Sequence, residues 1–342
     1  MRIALDATYS LGQELSGIGV YSREILHGLA AGQPDTRWDW FYRSHRFRKA
    51  LRESVLPNVS RRFLSDLWGN RSAALFHGLN QRLPRRRFRR QVATFHDLFV
   101  LTGEYSTPDF RARFALQARQ AAAAADLIIA VSAFTANQVE DLLDIPGERI
   151  RVIHHGVIAR PIPDLPREKV VLTVGALQKR KNQQAVVAAF SAMPPDWTLV
   201  LAGSAGYGSE EVVEAIRNSP ARSRIQVLGY TPEEVLTRWY ARASLFVFPS
   251  LDEGFGMPVL EAMAAGIPVI SSNRSALPEV CGEAAWLVNP ENIAELKETL
   301  VELAKNQQRQ DEFRRRGFAH AACFTWQKAI AATAGVYSEL LG

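Results

Sequence analysis

The sequence predicts an α/β protein made of two doubly wound parallel-sheet domains. Three observations carry this. Short, continuously apolar runs alternate with longer helical patterns in both halves of the chain. Such runs read as strands buried on both faces, the habit of parallel sheets. The chain has 342 residues, about twice the usual length of one domain. Near its middle, "ARPIPDLPREK" (Ala159–Lys169) carries three prolines. Proline blocks helix and sheet ladder alike, so this stretch reads as a linker. The expected division is 1–164 and 165–324, with a last segment of about 325–342.

In chain order, the first series of strands is Arg2–Asp6, Ala74–His77, Gln91–His96, Leu127–Val131 and Arg151–His154. The second is Val170–Val174, Thr198–Ala202, Ile225–Leu228, Leu245–Phe248, Val269–Ser271 and Ala285–Leu287. Helical patterns separate them at Gly19–Ala31, Phe110–Ala125, Gln183–Phe190 and Glu291–Gln308. Strand–helix alternation through both halves is what two doubly wound domains require. Thr325 is a good N-cap for a final helix that runs to the chain end.

Composition excludes several classes. Hydrophobic residues make up 47% and charged residues 22%, an ordinary globular balance. No apolar run approaches the roughly 20 residues of a membrane span. "MRIALDATYS" reads as a first strand and not as a signal peptide. Cys281 and Cys323 stand far apart without metal-ligand spacing, so free thiols in a reducing cytosol are expected. The net charge of +6 is uneven. Residues 1–165 hold 23 Lys+Arg against 16 Asp+Glu, and residues 166–342 hold 18 against 19. The densest runs are "RLPRRRFRR" (Arg82–Arg90) and "RSHRFRKALR" (Arg43–Arg52). Each reads either as a solvated loop or as a patch for an anionic membrane surface, with the protein peripheral on its cytoplasmic face. Salt-sensitive binding to acidic vesicles separates the two. No nucleic-acid recognition signature accompanies them.

The densest chemistry lies in "SLDEGFGMPVLEAMAAGIPVIS". "LFVFPS" is a buried strand stopped by Pro249, so "LDEGFG" is the loop at its carboxyl end. Pro258 suits the first turn of a helix that Gly266 closes. Glu253 then lies in the loop and Glu261 in the helix, both at the end of the sheet where open α/β proteins bind ligands. Free N–H groups of Gly254–Met257 and the helix dipole suit an anion. Two carboxylates flanking such a point suit two polyols joined by a pyrophosphate, which describes a nucleotide sugar. The plain alternative is that Glu261 complements the helix dipole and Glu253 caps a loop.

"EGFGMPVLE" resembles the glutamate–seven–glutamate motif of retaining glycosyltransferases of family 4, whose fold is GT-B. "VLTVGALQKRKN", "VLGYTPEEVLTRWYARA", "VATFHDL", "SGIGVYSREIL", "ADLIIAVSAFTANQV" and the final "FTWQKAI" follow in the family's order, and together they cover most of the chain. The resemblance implies two Rossmann-like domains facing across a cleft, with the chain-end helix crossing back to the first. The first domain would bind the acceptor and the second the nucleotide sugar. The stretch near Pro161–Pro166 would act as a hinge.

The resemblance also implies roles. Glu253 would contact the donor sugar and Glu261 the ribose hydroxyls. Gly254, Phe255, Gly256, Met257 and Leu260 would complete the donor site. Arg180 and Lys181, a basic pair at a strand–helix junction, would meet the leaving diphosphate. Some relatives carry arginine directly after the glycine, where this chain has Ala176. Gly17 and Gly19 would approach the donor phosphate and the acceptor, and Gly229 and Tyr230 the base. His96 would touch the donor sugar, with Asp97 orienting it or meeting the acceptor. His77 and Asn80 end another strand nearby in sequence.

No Asp-x-Asp occurs, so a metal-free reaction with no cofactor is expected. The expected activity is transfer of a hexose to a hydroxyl of a glycan or lipid-linked acceptor, with mannose from GDP-mannose as leading donor. UDP-glucose or another UDP-hexose is the alternative donor. A GT-B epimerase or phosphorylase, or a binding module without activity, are the other readings, and a donor-hydrolysis panel distinguishes them.

Overall fold

The computed structural model describes residues 1–12, 14–65, 72–157 and 162–342. They form two compact units. Unit 1 holds Met1–Thr102, Thr107–Gly156 and Thr325–Gly342; unit 2 holds Gly103–Ser106 and Val157–Phe324. The division thus falls between Gly156 and Val157, ahead of the 164/165 boundary expected from the prolines. Part of that proline stretch, 159–161, lies outside the described residues.

Unit 1 runs β1 (Arg2–Asp6), α1 (Gly17–Gly32), β2 (Arg37–Tyr42), α2 (Ser44–Ala50), β3 (Val59–Phe63), β4 (Leu75–Gly78), β5 (Arg90–Phe95), α3 (Phe99–Thr102), α4 (Pro108–Ala124), β6 (Leu127–Ala130), α5 (Ala133–Leu143) and β7 (Ile150–Val152). Its strands are all parallel, in the order β3-β2-β1-β4-β5-β6-β7. Unit 2 runs β8 (Glu168–Val174), α6 (Gln183–Phe190), β9 (Thr198–Ala202), α7 (Ser209–Asn218), β10 (Ile225–Gly229), α8 (Glu233–Arg242), β11 (Ala243–Phe248), α9 (Met257–Ala264), β12 (Val269–Ser272), α10 (Leu277–Cys281), β13 (Trp286–Val288), α11 (Ile293–Lys305) and α12 (Gln307–Ala321). Its sheet is also parallel, in the order β10-β9-β8-β11-β12-β13. The last helix, α13 (Trp326–Leu341), belongs to unit 1. Its N-cap is Thr325, whose hydroxyl accepts from the Lys328 N–H at 3.3 Å.

Both sheets reverse their winding once, between β1 and β4 in unit 1 and between β8 and β11 in unit 2. Crossover chains leave such a pair toward opposite faces, which opens a crevice at the carboxyl ends of the two strands. The central strands are buried over most of their length: Val171, Leu172, Leu199, Val200, Leu245 and Val247 are all inaccessible to solvent.

Two strands, β2 and β3, escaped the sequence pattern. β2 reads "RWDWFY" with Asp39 inside, and that carboxylate is buried beside Arg2 and Arg62. β3 is an edge strand, "VSRRF", mostly in solvent, so nothing in it needs to be apolar. The expected single helix Glu291–Gln308 is instead α11 followed by α12. Asn306 breaks it, because its side chain accepts the Arg309 N–H at 3.0 Å and starts a new helix. Among the described residues no helix is long and apolar enough to cross a membrane. Cys281 and Cys323 are free thiols, the first buried and the second exposed.

Candidate functional site

The crevice of unit 2 is built by two loops, one after β8 and one after β11. They are laced together by backbone groups. The Leu251 N–H donates to the Arg180 carbonyl at 2.8 Å. Asn182, in the left-handed region at φ 56°, donates from Nδ2 to the carbonyls of Pro249 (3.2 Å) and Pro290 (2.7 Å). This lacing brings residues 72 positions apart into contact. Glu253 receives Lys181 Nζ at 2.6 Å on Oε1 and Arg180 Nη1 at 2.9 Å on Oε2. Arg180 also donates to the Asp252 carbonyl. The Lys181 ammonium lies 4.7 Å from the Phe248 ring centroid, a cation–π contact at the end of β11.

Glu253 is buried, and burial alone would raise its pKa. The charges of Arg180 and Lys181 and their hydrogen bonds outweigh that and hold it down to about 2. The carboxylate is therefore ionised at any ordinary pH. Its backbone is fixed as well: the Glu253 N–H donates to Ser275 Oγ at 3.0 Å, and its carbonyl accepts the Ala276 N–H at 3.2 Å.

Glu261 sits in α9, half-buried, and accepts from the Tyr240 hydroxyl at 2.8 Å. Tyr240 itself is 1% exposed, so this hydrogen bond holds the carboxylate in one position. Gly256 turns the chain into α9 at φ +103°, and a Cβ there would stand 2.6 Å from Leu277 Cδ2. Only glycine satisfies both demands. At the other end, Ile267 N–H returns to the Ala262 carbonyl and Gly266 N–H to Met263, both at 2.9 Å, which stops the helix before Pro268. Of the other donor-site residues expected from the sequence, Phe255 and Leu260 are buried in the core at 4% and 1% exposure. Met257 is half-buried and Gly254 buried. Gly229 has φ +66°, and Tyr230 beyond it is 49% exposed.

Unit 1 gathers its own polar residues at the carboxyl ends of β4 and β5. His96 Nε2 lies 2.9 Å from the Leu79 carbonyl. A carbonyl can only accept, so Nε2 carries the proton and Nδ1 is left as an acceptor in the neutral ring. Burial lowers the His96 pKa to about 4, the Leu79 hydrogen bond opposing it, so the ring is neutral at physiological pH. Beneath it runs a buried chain. Tyr337 Oη meets His77 Nδ1 at 2.6 Å, His77 Nε2 meets Thr94 Oγ1 at 2.8 Å, and Thr94 Oγ1 meets Tyr21 Oη at 2.9 Å. Burial, helped by the neighbouring His96, lowers His77 to about 3. His155 stacks on His96 with ring centroids 5.4 Å apart and is also driven well below the ordinary histidine pKa by burial. Tyr21 closes the group edge-on to His96 at 4.7 Å. Asp97 is half-buried and Asn80 is buried.

Gly17 and Gly19 lie in the first turn of α1 and not in a separate loop. Gly17 is exposed; Gly19 is buried, and a Cβ on it would come within 3.0 Å of the Tyr9 carbonyl. The second glycine is thus there for close packing. In the arginine run, Arg87 and Arg90 approach the Asp126 carboxylate at 2.7 and 3.6 Å, which offsets part of its charge.

Sequence reasoning missed Tyr240, Asn182, Ser275, Thr94, Tyr21, Tyr337 and His155 as parts of these two groups. Asn182 stood in the open directly after the basic pair. The others are side chains whose partners lie far away in sequence.

Two family models match. Glycosyl transferases group 1 covers residues 159–320, and Glycosyltransferase Family 4 covers residues 31–159. O-antigen chain mannosyltransferase B of Escherichia coli is 28% identical, over 98% of this chain and 99% of that protein. The serotype-specific mannosyltransferase WbdA of the same organism is 28% identical over 73% of this chain, which spans only 33% of that longer protein. Among solved structures, sucrose-phosphate synthase of Thermosynechococcus elongatus superposes with a TM-score of 0.81 at 21% identity, covering 99% of each chain. Anabaena HepE, solved with UDP-glucose, gives 0.77 at 18% identity, again over 99% of each. The fold is thus that of the GT-B glycosyltransferases, and the chain belongs to the group 1 glycosyltransferases with an N-terminal unit of the family 4 type.

Proposed function

We propose that this protein is a retaining, metal-independent mannosyltransferase that uses GDP-mannose and delivers mannose to a hydroxyl of a glycan or lipid-linked acceptor. One observation carries the reading of the site: buried Arg180 and half-buried Lys181 pair with Glu253 at the winding reversal of unit 2, with a second carboxylate, Glu261, on the helix that follows. The donor reading leans on the end-to-end similarity to an O-antigen mannosyltransferase. In this scheme the bond from the anomeric carbon to the β-phosphate oxygen breaks through an oxocarbenium-like transition state. The acceptor oxygen bonds to that carbon from the same face, and its proton passes to the leaving phosphate. Lys181 and Arg180 take the charge that builds there, which leaves no task for a divalent ion. Glu261 holds the ribose diol.

The test is transfer and hydrolysis with GDP-mannose, UDP-glucose and UDP-GlcNAc, each with and without EDTA. GDP-mannose is expected to be used fastest, with the anomeric configuration kept and no loss in EDTA. Preference for a UDP-hexose would replace the donor. Loss in EDTA restored by Mn²⁺ would remove the metal-free scheme.

The ribose role has its own signature. Glu261→Gln is expected to weaken GDP binding by about 1.5–3 kcal/mol, the range for a hydrogen bond to a charged group. Tyr240→Phe, which only frees that carboxylate to move, is expected to cost about 0.5–1.5 kcal/mol. Calorimetric titration reads both, and unchanged affinity in Glu261→Gln would return that residue to complementing the helix dipole.

A further inference from the structure

Arg180 and Lys181 do not stand as bare cations beside the expected diphosphate. Each holds one oxygen of the same carboxylate, at 2.9 and 2.6 Å. The side chains of Arg180, Lys181 and Glu253 are only 9%, 12% and 9% exposed, so water offers little alternative to this pairing. Two oxygens on one anionic centre, bridging one guanidinium and one ammonium, reproduce what two phosphate oxygens would offer. We infer that Glu253 is a built-in competitor for the diphosphate: it yields Arg180 and Lys181 to the leaving phosphate during transfer and reclaims them afterwards, which drives release of the nucleoside diphosphate. The inference rests on the reading of unit 2 as the diphosphate site.

The surroundings favour an exchange of side-chain ends over any larger rearrangement. The Glu253 backbone is pinned by Ser275 and Ala276, and the Arg180 backbone by Leu251. Arg180 has a second acceptor in the Asp252 carbonyl, so its guanidinium is anchored apart from the carboxylate. Lys181 carries its ammonium over the Phe248 ring on a flexible four-carbon stem and can turn between two acceptors. Because Glu253 stays ionised at working pH, it competes at full charge in every turnover.

The sign of the prediction is unusual for a residue in an active site. Glu253→Gln is expected to bind GDP and UDP more tightly than the native protein, by roughly tenfold, because a like charge and a rival partner are both gone. Turnover falls while a burst of product appears in the first cycle, since release becomes limiting. Removing a buried counter-charge can also cost the fold. Glu253→Asp is therefore the second variant: it keeps the charge but is too short to span both cations, and about threefold tighter binding is expected. Isothermal titration of GDP and UDP into native protein and both variants decides it. Equal or weaker binding in the variants, with the native protein binding normally, overturns the competitor role and leaves the site reading intact. If the native protein binds neither nucleotide, the site reading falls and the inference with it. A purely structural Glu253 would change stability without tightening any ligand.

Discussion

Taking the protein from pH 7.5 to pH 5 is expected to remove about 4 kcal/mol of stability from unit 1 through two histidines alone. His77 and His96 titrate near 3 and 4 in the folded chain, against an ordinary value of 6.5, chiefly because they are buried. A folded pKa below the unfolded one means that the unfolded chain binds more protons in the window between them. Stability therefore falls as pH drops below about 6.5, at about 1.4 kcal/mol per pH unit for each histidine. The loss ends near pH 4 for His96 and near pH 3 for His77. His155 acts in the same direction. Against a typical total of about 5–15 kcal/mol, this is a large fraction.

Unit 2 answers differently. Its buried titrating group with a resolved depression is Glu253, whose stabilising charge is fully present above about 4.5 and lost as pH falls toward 2. Between pH 6.5 and 4.5 unit 1 should weaken while unit 2 keeps the contribution of Glu253. Urea titrations at pH 7.5 and 5, read by hydrogen exchange in peptides of each unit, check this. Equal protection of unit 1 at both pH values would mean that the three histidines are not held neutral by burial.

Much of the fold was legible because parallel strands buried on both faces leave an apolar run that needs no partner to be recognised. β8, β9 and β11 are of this kind. β2 and β3 were not legible: Asp39 is tolerated inside β2 only because Arg2 and Arg62 reach it, and a strand at a sheet edge carries no apolar mark. The break at Asn306 was hidden by a continuous helical pattern on both sides of it. The site divides in the same way. Glu253 and Glu261 stand out as charges in apolar or glycine-rich surroundings, and Arg180 and Lys181 as a basic pair directly after a strand. That Glu253 binds both cations, that Tyr240 holds Glu261 and that Tyr337 reaches His77 are contacts made by folding, across spans of 72, 21 and 260 positions. No local pattern encodes them.

Replacing Lys181 by methionine is expected to lower kcat by about 10²–10³-fold, the effect of removing one preorganised stabiliser of transition-state charge. Methionine keeps an unbranched apolar stem of similar length, so packing changes little while the ammonium, with its contact to the Phe248 ring, is lost. Arg180 remains on Glu253, and the carboxylate is not left buried without a counter-charge. The fold should therefore survive, unlike after removal of both cations, where a stranded buried charge costs about 3–5 kcal/mol. Lys181→Arg should not restore the rate. A planar guanidinium is larger than an ammonium and directs its donors differently, and the ammonium is held between the Glu253 carboxylate and the Phe248 ring. The loss should fall on kcat more than on KM if the ammonium acts chiefly on charge that develops as the phosphate leaves. Steady-state kinetics of native, Lys181→Met and Lys181→Arg proteins, with circular dichroism to verify folding, measure it. A folded Lys181→Met protein within threefold of native kcat would exclude Lys181 from stabilising the leaving group. It would leave the ion pair with Glu253 as a support for the β8 and β11 loops alone.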